Sequence, residues 1–349
     1  MLGARHAASR AYANQETMRV GITHETVEKS AREVIEITAG IKVRGAAHHS
    51  EADGHFAELI GPLNLQNPPI DLRDRVRDTL EHLSRTGALP ALASTATAAL
   101  GIARDPKGDI AKLCRILSGD VGMVARVLRM ANSAAIARRT TARTVDDAVM
   151  ALGLRKTCDI LIGVCARHLY ETPTPRTSVL WSHAIAVAVA AEELAVSTRR
   201  VDSRLAFLPG LFHDVGRIAF FLTDGEMAEV VEAVIASGEE EATDIERQWY
   251  GFDHAEAGAT LAQDWGLAAE QCDAIRRHHQ PSGVIDLAAI MNAADGIVYR
   301  IIAPRIGAGA GTCPPASVST GVLGLSPDEE ATCVERARAS FAAYQELLG

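Results

Sequence analysis

The chain has 349 residues, of which 48% are hydrophobic and 23% charged, so it holds enough apolar material for a folded core and is not disordered throughout. Aromatic residues make up only 4%, which argues against a β-sandwich or β-barrel, because those folds use many aromatic and β-branched residues. The net charge of −9 argues against a protein that coats nucleic acid. We therefore expect a helical protein with no nucleic-acid partner.

The spacing of the cysteines and the length of the apolar runs indicate the cellular compartment. The six cysteines are widely spaced and form no C-x-x-C pair, which is typical of a reducing environment. Residues 1–20 contain no apolar stretch of the kind found in signal sequences. The longest uninterrupted apolar run, Ala184 to Ala191, is much shorter than the ~20 residues that span a bilayer. We expect a soluble, cytoplasmic protein with no membrane partner.

The N-terminal part, residues 1–70, is predicted to be a partly irregular extension. Gly, His and Pro are frequent in it, and only residues 25–38 have a helical pattern. Asp71 can cap a following helix that runs to Leu83.

The first helical lobe is predicted within residues 71–172. Apolar residues recur there at every third or fourth position, as in Val121, Val124 and Leu128. Two clear turn signals divide this part into four or five short helices. A Pro-containing stretch over residues 171–175 then ends the lobe.

The second lobe is predicted within residues 176–302. Its first helix, Trp181–Val196, is apolar almost all round and should be buried at the centre. The spacing predicts further helices over residues 203–222, 226–237, 254–265, 268–279 and 284–302.

The C-terminal part, residues 303–349, is predicted to be a linker followed by one helix. The linker over residues 303–326 is rich in Gly, Pro and Ser. Ser326 can cap the helix, Pro327 suits its first position, and acidic residues fill its first turn, so the helix should run from Pro327 to Leu348.

Seven histidine and aspartate residues of the second lobe are candidate metal ligands, because they lie on several predicted helices that can converge in a bundle. Imidazole mixed with carboxylate suits Fe, Mn, Zn or Ni better than Ca or Mg. Two such ions ~3.5–4 Å apart could hold a bridging water that attacks a phosphoester. The candidates are His183, His213, Asp214, His254, His278, His279 and Asp295.

Each candidate taken alone also has a purely structural interpretation. His183 could be a core histidine, and His213 with Asp214 could be a hydrogen-bonded pair at a helix end. His278 and His279 could interact with a helix C-terminus, where cationic imidazolium is favourable. The ordered set as a whole is what favours metal binding.

That ordered set resembles the HD superfamily of metal-dependent phosphohydrolases, and residues 84–300 resemble its HDOD branch (HD-related output domain) more closely. The matching motifs of the first lobe are Leu89-Pro90, the stretch from Arg126 to Ser133, and the stretch from Thr144 to Gly153. Those of the second lobe are Leu180 to His183, Leu211 to Gly216, Asp253 to Gly258, Trp265 to Leu267, and Ala274 to His279.

The resemblance implies an all-α fold, a two-lobed helical bundle with an HD-like second lobe, over residues 71–302. HDOD proteins are mostly regarded as bacterial signalling modules without hydrolase activity, whereas the related HD-GYP proteins are phosphodiesterases of cyclic dinucleotides. The sequence differs from the catalytically active relatives at two features that matter for catalysis. No Gly-Tyr-Pro follows His279, and Arg217 replaces the lysine that usually contacts phosphate in active relatives.

We therefore expect a bacterial-type HDOD regulatory module that binds signalling proteins or a small phosphate-bearing ligand. It would hold one or two divalent ions without turnover. The alternative is a metal-dependent phosphohydrolase or cyclic-dinucleotide phosphodiesterase, in which Asp214 and Arg217 would be catalytic. The sequence leaves the oligomeric state open.

Overall fold

In the computed structural model, the part of the chain described is residues 92–348 without residue 106, residues 134–140, 171–175, most of 224–240, and 303–320. Three sequence predictions therefore lie outside the described residues: the extension over residues 1–70, the helix from Asp71 to Leu83, and nearly all of the linker. Most of the helix predicted over residues 226–237 also lies outside them. No β-strand occurs among the described residues, which confirms the all-α prediction.

The described residues form five α-helices before residue 171 and eight more after residue 175. The first five are α1 Ser94–Arg104, α2 Ile110–Ser118, α3 Val121–Ala131, α4 Val145–Leu152 and α5 Leu154–Ala166. The others are α6 Arg176–Thr198, α7 Phe207–Phe212, α8 Val215–Thr223, α9 Ala242–Tyr250, α10 His254–Asp264, α11 Ala269–Arg277, α12 Leu287–Ile302 and α13 Pro327–Leu348.

Side-chain caps fix where several helices begin. Asp120 accepts a hydrogen bond from the N–H of Met123 at the start of α3. Thr144 and Asp147 form a reciprocal capping box at the start of α4. Ser326 and Glu329 exchange equivalent bonds at α13, so the predicted start of that helix is confirmed.

Helix α6 is the central element of the fold. Its residues from Ala184 to Ala191 are fully buried or nearly so, as the sequence predicts. It packs against α7, α12 and α13, while the 3-10 turn Arg167–Tyr170 connects it to the first lobe. A single cluster of buried apolar side chains extends from the first lobe through α6 into the second lobe.

Two helical stretches, Val179–Thr198 and Ser203–Leu222, have the length and composition of membrane spans. Within their apolar windows, 61% and 83% of the residues respectively are buried inside the protein. Most residues of both stretches therefore pack inside the protein.

The single helix predicted over residues 203–222 is divided in the structure. A 3-10 turn, Ser203–Leu205, is followed by α7 and then by α8, with His213 and Asp214 between these two helices. The Nδ1 of His213 donates to the carbonyl of Gly210, so a side chain takes an acceptor that a continuous helix would use for a backbone N–H. Pro209 lies in the first turn of α7, where its missing N–H costs little.

Helix α9 was not predicted from the sequence. Its buried residues Ile245 and Trp249 are four positions apart, which is helical spacing. Gly251 ends the helix in the left-handed conformation, with φ of 84°. This helix supplies a buried carboxylate to the site described next.

Candidate metal centre

All seven candidate ligands come together between six helices of the second lobe. They lie within α6, at the α7–α8 junction, at the first position of α10, just after α11, and within α12. The cap of α10 is Asp253, whose carboxylate accepts from the N–H of Glu256 and pairs with Arg247. These interactions position the first residue of α10, His254, at the centre of the cluster.

The ligand atoms form two groups without a shared member, which we call the first and second half-sites, and a third group of His213, Asp214 and His278 joins them. The first half-site consists of His183, His213 and Asp295, and the second of His254, His278 and His279. In each half-site, one donor atom per residue lies within 4.8 Å of the others.

Asp214 lies between the two half-sites. Its Oδ2 is 3.8 Å from Nε2 of His183, on the first half-site. Its Oδ1 is 3.1 Å from Nε2 of His254, on the second. A single carboxylate is thus placed to bridge two cations.

The Nε2 atoms of the histidines point into the cluster because hydrogen bonds hold the opposite ring nitrogens. Nδ1 of His213 donates to the carbonyl of Gly210 at 2.9 Å, and Nδ1 of His278 donates to that of Ile275 at 2.7 Å. A carbonyl can only accept, so each Nδ1 carries the proton and, in the neutral ring, Nε2 keeps its lone pair.

The distances between these Nε2 atoms match those of nitrogens that share a metal ion. His183 and His213 are 3.1 Å apart, and His254 and His279 are 2.9 Å apart, measured between Nε2 atoms. Two nitrogens that bind one ion at ~2.1 Å are themselves ~3.0–3.4 Å apart at the usual coordination angles. Facing lone pairs repel unless a proton or a cation lies between them, so the donor set fits a divalent metal.

Burial and neighbouring charges shift the pKa values of the five imidazoles in different directions. Burial lowers the pKa of His213 and His278, and burial together with His254 lowers that of His279 to about 4. Burial alone would also lower the pKa of His183 and His254, but neighbouring carboxylates raise both, that of His254 to about 10. In the cluster without a cation, the carboxylates therefore favour the protonated form of His183 and His254.

The cluster is closed on one side and open on the other. The side chains of His213, His254 and His278 are at most 1% exposed. Those of His183 and Asp295 are 20% and 19% exposed. His279 of the second half-site is also partly exposed, so a ligand would reach the cluster at the edge formed by His183, Asp295 and His279.

Arg217 lies beside the cluster but is surrounded by acidic groups. Its guanidinium nitrogens are 3.7 Å from Asp214, 3.6 Å from Glu232 and 3.8 Å from Glu246, measured to carboxylate oxygens. These charges raise its pKa despite its burial. Three carboxylates thus compete with any phosphate for this cation.

Residues 89–281 match the family described as HDOD domain. The chain belongs to the HDOD family. The matched range contains both the first-lobe helices α1 to α5 and six of the seven candidate ligands, all except Asp295.

Solved structures share the fold of this HDOD protein. An HDOD domain protein of unknown function from Geobacter sulfurreducens is 26% identical, with a TM-score of 0.60, over 77% of this chain and 98% of that one. A candidate phosphohydrolase from Shewanella amazonensis SB2B is 23% identical, with a TM-score of 0.61, over the same shares.

A curated relative is longer than this chain. An uncharacterized protein of Treponema pallidum (strain Nichols) is 25% identical over 234 residues, which are 66% of this chain and 44% of that protein. The chain thus spans less than half the length of this relative.

One buried residue of the HDOD domain's cluster was missed by sequence reasoning. Glu246 of α9 is fully enclosed beside His254, and its Oε2 accepts from Nδ1 of that ring at 2.6 Å. The available signal was its position between Ile245 and Trp249: a glutamate next to the apolar stripe of an amphipathic helix needs a partner when buried.

Proposed function

We propose that this HDOD protein is a regulatory module that binds one or two divalent metal ions in its second lobe and does not turn over a substrate. The observation that carries the proposal is the convergence of seven imidazole and carboxylate side chains, in which the Nε2 atoms of three histidine pairs are 2.9–3.4 Å apart. The donor types favour Fe, Mn, Zn or Ni.

The metal ligands would fall into two sets. One ion would be held by His183, His213 and Asp295, and the other ion would be held by His254, His278 and His279. Asp214 would contact both ions. The hydrogen bonds on Nδ1 of His213 and His278 would keep these rings oriented with or without metal.

The surroundings of Arg217 support binding without turnover. A phosphohydrolase needs positive charge that is free to stabilise the phosphoryl oxygens. Here Asp214, Glu232 and Glu246 lie within 3.8 Å of the guanidinium, so much of its charge is already neutralised. We further propose that the module acts in the cytoplasm through signalling proteins or a small phosphate-bearing ligand, which would approach at the partly exposed edge formed by His183, His279 and Asp295.

Metal analysis of protein purified without chelator tests the proposal. We expect one or two ions per chain, with loss of metal in His254→Ala and no loss in His168→Ala, an exposed histidine outside the cluster. A wild-type content below about one tenth of an ion per chain would contradict metal binding, because a buried multi-histidine site retains its metal during purification.

The second candidate function is a metal-dependent phosphohydrolase or cyclic-dinucleotide phosphodiesterase. The position of Asp214 between the half-sites favours it, since bound ions there would supply Lewis-acid activation of a phosphate and of water. Asp214 and Arg217 would then contact the reacting groups. We expect no turnover of phosphomonoesters or cyclic dinucleotides with Mn or Fe; activity that disappears in Asp214→Asn would establish this second function instead.

A further inference from the structure

Helix position explains why His254 needs a partner from another element, whereas His213 and His278 do not. His213 and His278 follow the last residues of α7 and α11, so the carbonyl three residues earlier is free to accept from Nδ1. His254 is the first residue of α10 and has no preceding helical turn. An acceptor for its Nδ1 must come from another element.

Glu246 of α9 supplies that acceptor. Its Oε2 lies 2.6 Å from Nδ1 of His254 and 2.8 Å from the backbone N–H of the same residue. The second bond also satisfies one of the N–H groups that a helix N-terminus leaves without a partner. Ring and backbone of His254 are thus held by one carboxylate oxygen.

The other oxygen of Glu246 interacts electrostatically with Arg217. Its Oε1 makes no hydrogen bond within the described residues, but it lies 3.8 Å from Nε of Arg217. The side chain of Glu246 is 1% exposed, so water does not compete for the carboxylate. Arg217 therefore acts as the counter-ion of a carboxylate that orients His254.

We propose that Glu246 is a positioning residue for the second half-site: it holds His254 with Nε2 directed at the cluster and makes that nitrogen a stronger donor. The second half-site consists of three imidazoles with no carboxylate of its own and shares only Asp214, whereas the first has Asp295. A carboxylate bonded to the far side of a ligating imidazole raises its basicity. Glu246 thus compensates for the missing carboxylate. This inference rests on the proposed metal binding.

Two substitutions of Glu246 distinguish its effect on the position of the His254 ring from the effect of its negative charge. Glu246→Gln keeps an oxygen that accepts from Nδ1 but removes the charge, whereas Glu246→Ala removes both. We expect Glu246→Ala to weaken metal binding at one of two sites by about 10- to 100-fold in chelator-competition titrations, and Glu246→Gln to weaken it less. The control is Glu232→Gln, which removes another carboxylate facing Arg217 without contacting His254.

A crystal structure of metal-free Glu246→Ala is the second readout. We expect the imidazole of His254 to be rotated from its place, with α10 still helical. If the wild type binds no metal, the proposed function is wrong. In that case, the position of the His254 ring in the Glu246→Ala structure alone tests whether Glu246 positions that ring. If folded Glu246→Ala binds metal like the wild type, or keeps the ring of His254 in place, Glu246 is only a helix cap and the inference is overturned.

Discussion

At the scale of the residue, the buried carboxylate of Asp159 on α5 shows how burial alone changes a titration. The side chain is 2% exposed, and its Oδ1 has no hydrogen-bond partner among the described residues. Burial raises its pKa from 3.8 to about 7, even though Lys156 and Arg155 act in the opposite direction. A group like this holds its proton in the folded chain and loses it in the unfolded chain over the same pH range.

The consequence is a free energy of unfolding that falls as pH rises. Below pH ~4 both states are protonated at this residue, and above pH ~7 both are ionised, so the loss accumulates between these values and reaches roughly 4 kcal/mol. We expect Asp159→Asn to be more stable than the wild type by an amount that grows from pH 5 to pH 7 and is constant above it. Urea unfolding at several pH values measures this.

The control for that experiment is Asp105→Asn. Asp105 is exposed, and its turn hydrogen bond from the N–H of Lys107 can also be accepted by an asparagine oxygen. Its substitution should change the free energy of unfolding by less than ~0.5 kcal/mol. A stability difference for Asp159→Asn that does not vary with pH would show that the buried carboxylate is not the cause.

At the scale of the element, the close packing of α8 on α10 connects the fold to the cluster. Gly216 in α8 leaves no room for a side chain: an added Cβ would lie 2.0 Å from the carbonyl oxygen of His254 and 2.8 Å from the nitrogen of Gly258. These are backbone atoms, which cannot rotate away. Asp214 and His254 can approach each other only because this contact is made by glycine.

We expect Gly216→Ala to cost roughly 3 kcal/mol of stability, since the two helices must separate to relieve the clash. The same separation should weaken metal binding. Gly101→Ala is the matched control, because its added Cβ meets no atom within 4 Å and alanine favours the α1 helix by ~0.5–1 kcal/mol. Denaturant unfolding of both variants checks this; a destabilisation below 1 kcal/mol for Gly216→Ala would contradict it.

At the scale of the whole molecule, α13 connects the two lobes. Its buried residues contact α3 and α5 of the first lobe as well as α6 and α12 of the second. Its last carbonyls accept hydrogen bonds from both sides, Leu347 from the guanidinium of Arg126 and Leu348 from the indole of Trp181. A cation at a helix C-terminus also interacts favourably with the helix dipole.

We expect Phe341→Ala, a change in the buried face of α13, to lower the free energy of unfolding by about 3–5 kcal/mol. Both lobes should still unfold in one transition, because their apolar cores are continuous. Glu335→Ala, on the exposed face of the same helix, should change stability by less than ~0.5 kcal/mol. Circular dichroism measures the unfolding. Equal effects for the two variants would contradict a bridging role for α13.

Much of this architecture could be predicted from local patterns. The helix from Pro327 to Leu348 was predicted with the bounds that the structure shows, because its cap, its first-turn acids and its apolar spacing are all local signals. The division between α7 and α8 was not predicted, since the hydrogen bond from His213 to the carbonyl of Gly210 leaves no signal in the apolar spacing. Helix α9 was missed because its apolar spacing is short and its buried glutamate makes it look more polar than it is.

The sequence by itself determined the all-α class, the family and the seven side chains that could hold a metal, because helical periodicity, caps and motif order are properties of neighbouring residues. Only the tertiary structure decided that Arg217 faces three carboxylates and that Glu246 orients His254. The physical reason is that a hydrogen bond between two helices depends on how their faces pack. Packing is set by the whole core, and it leaves no periodic trace in the residues that make the bond.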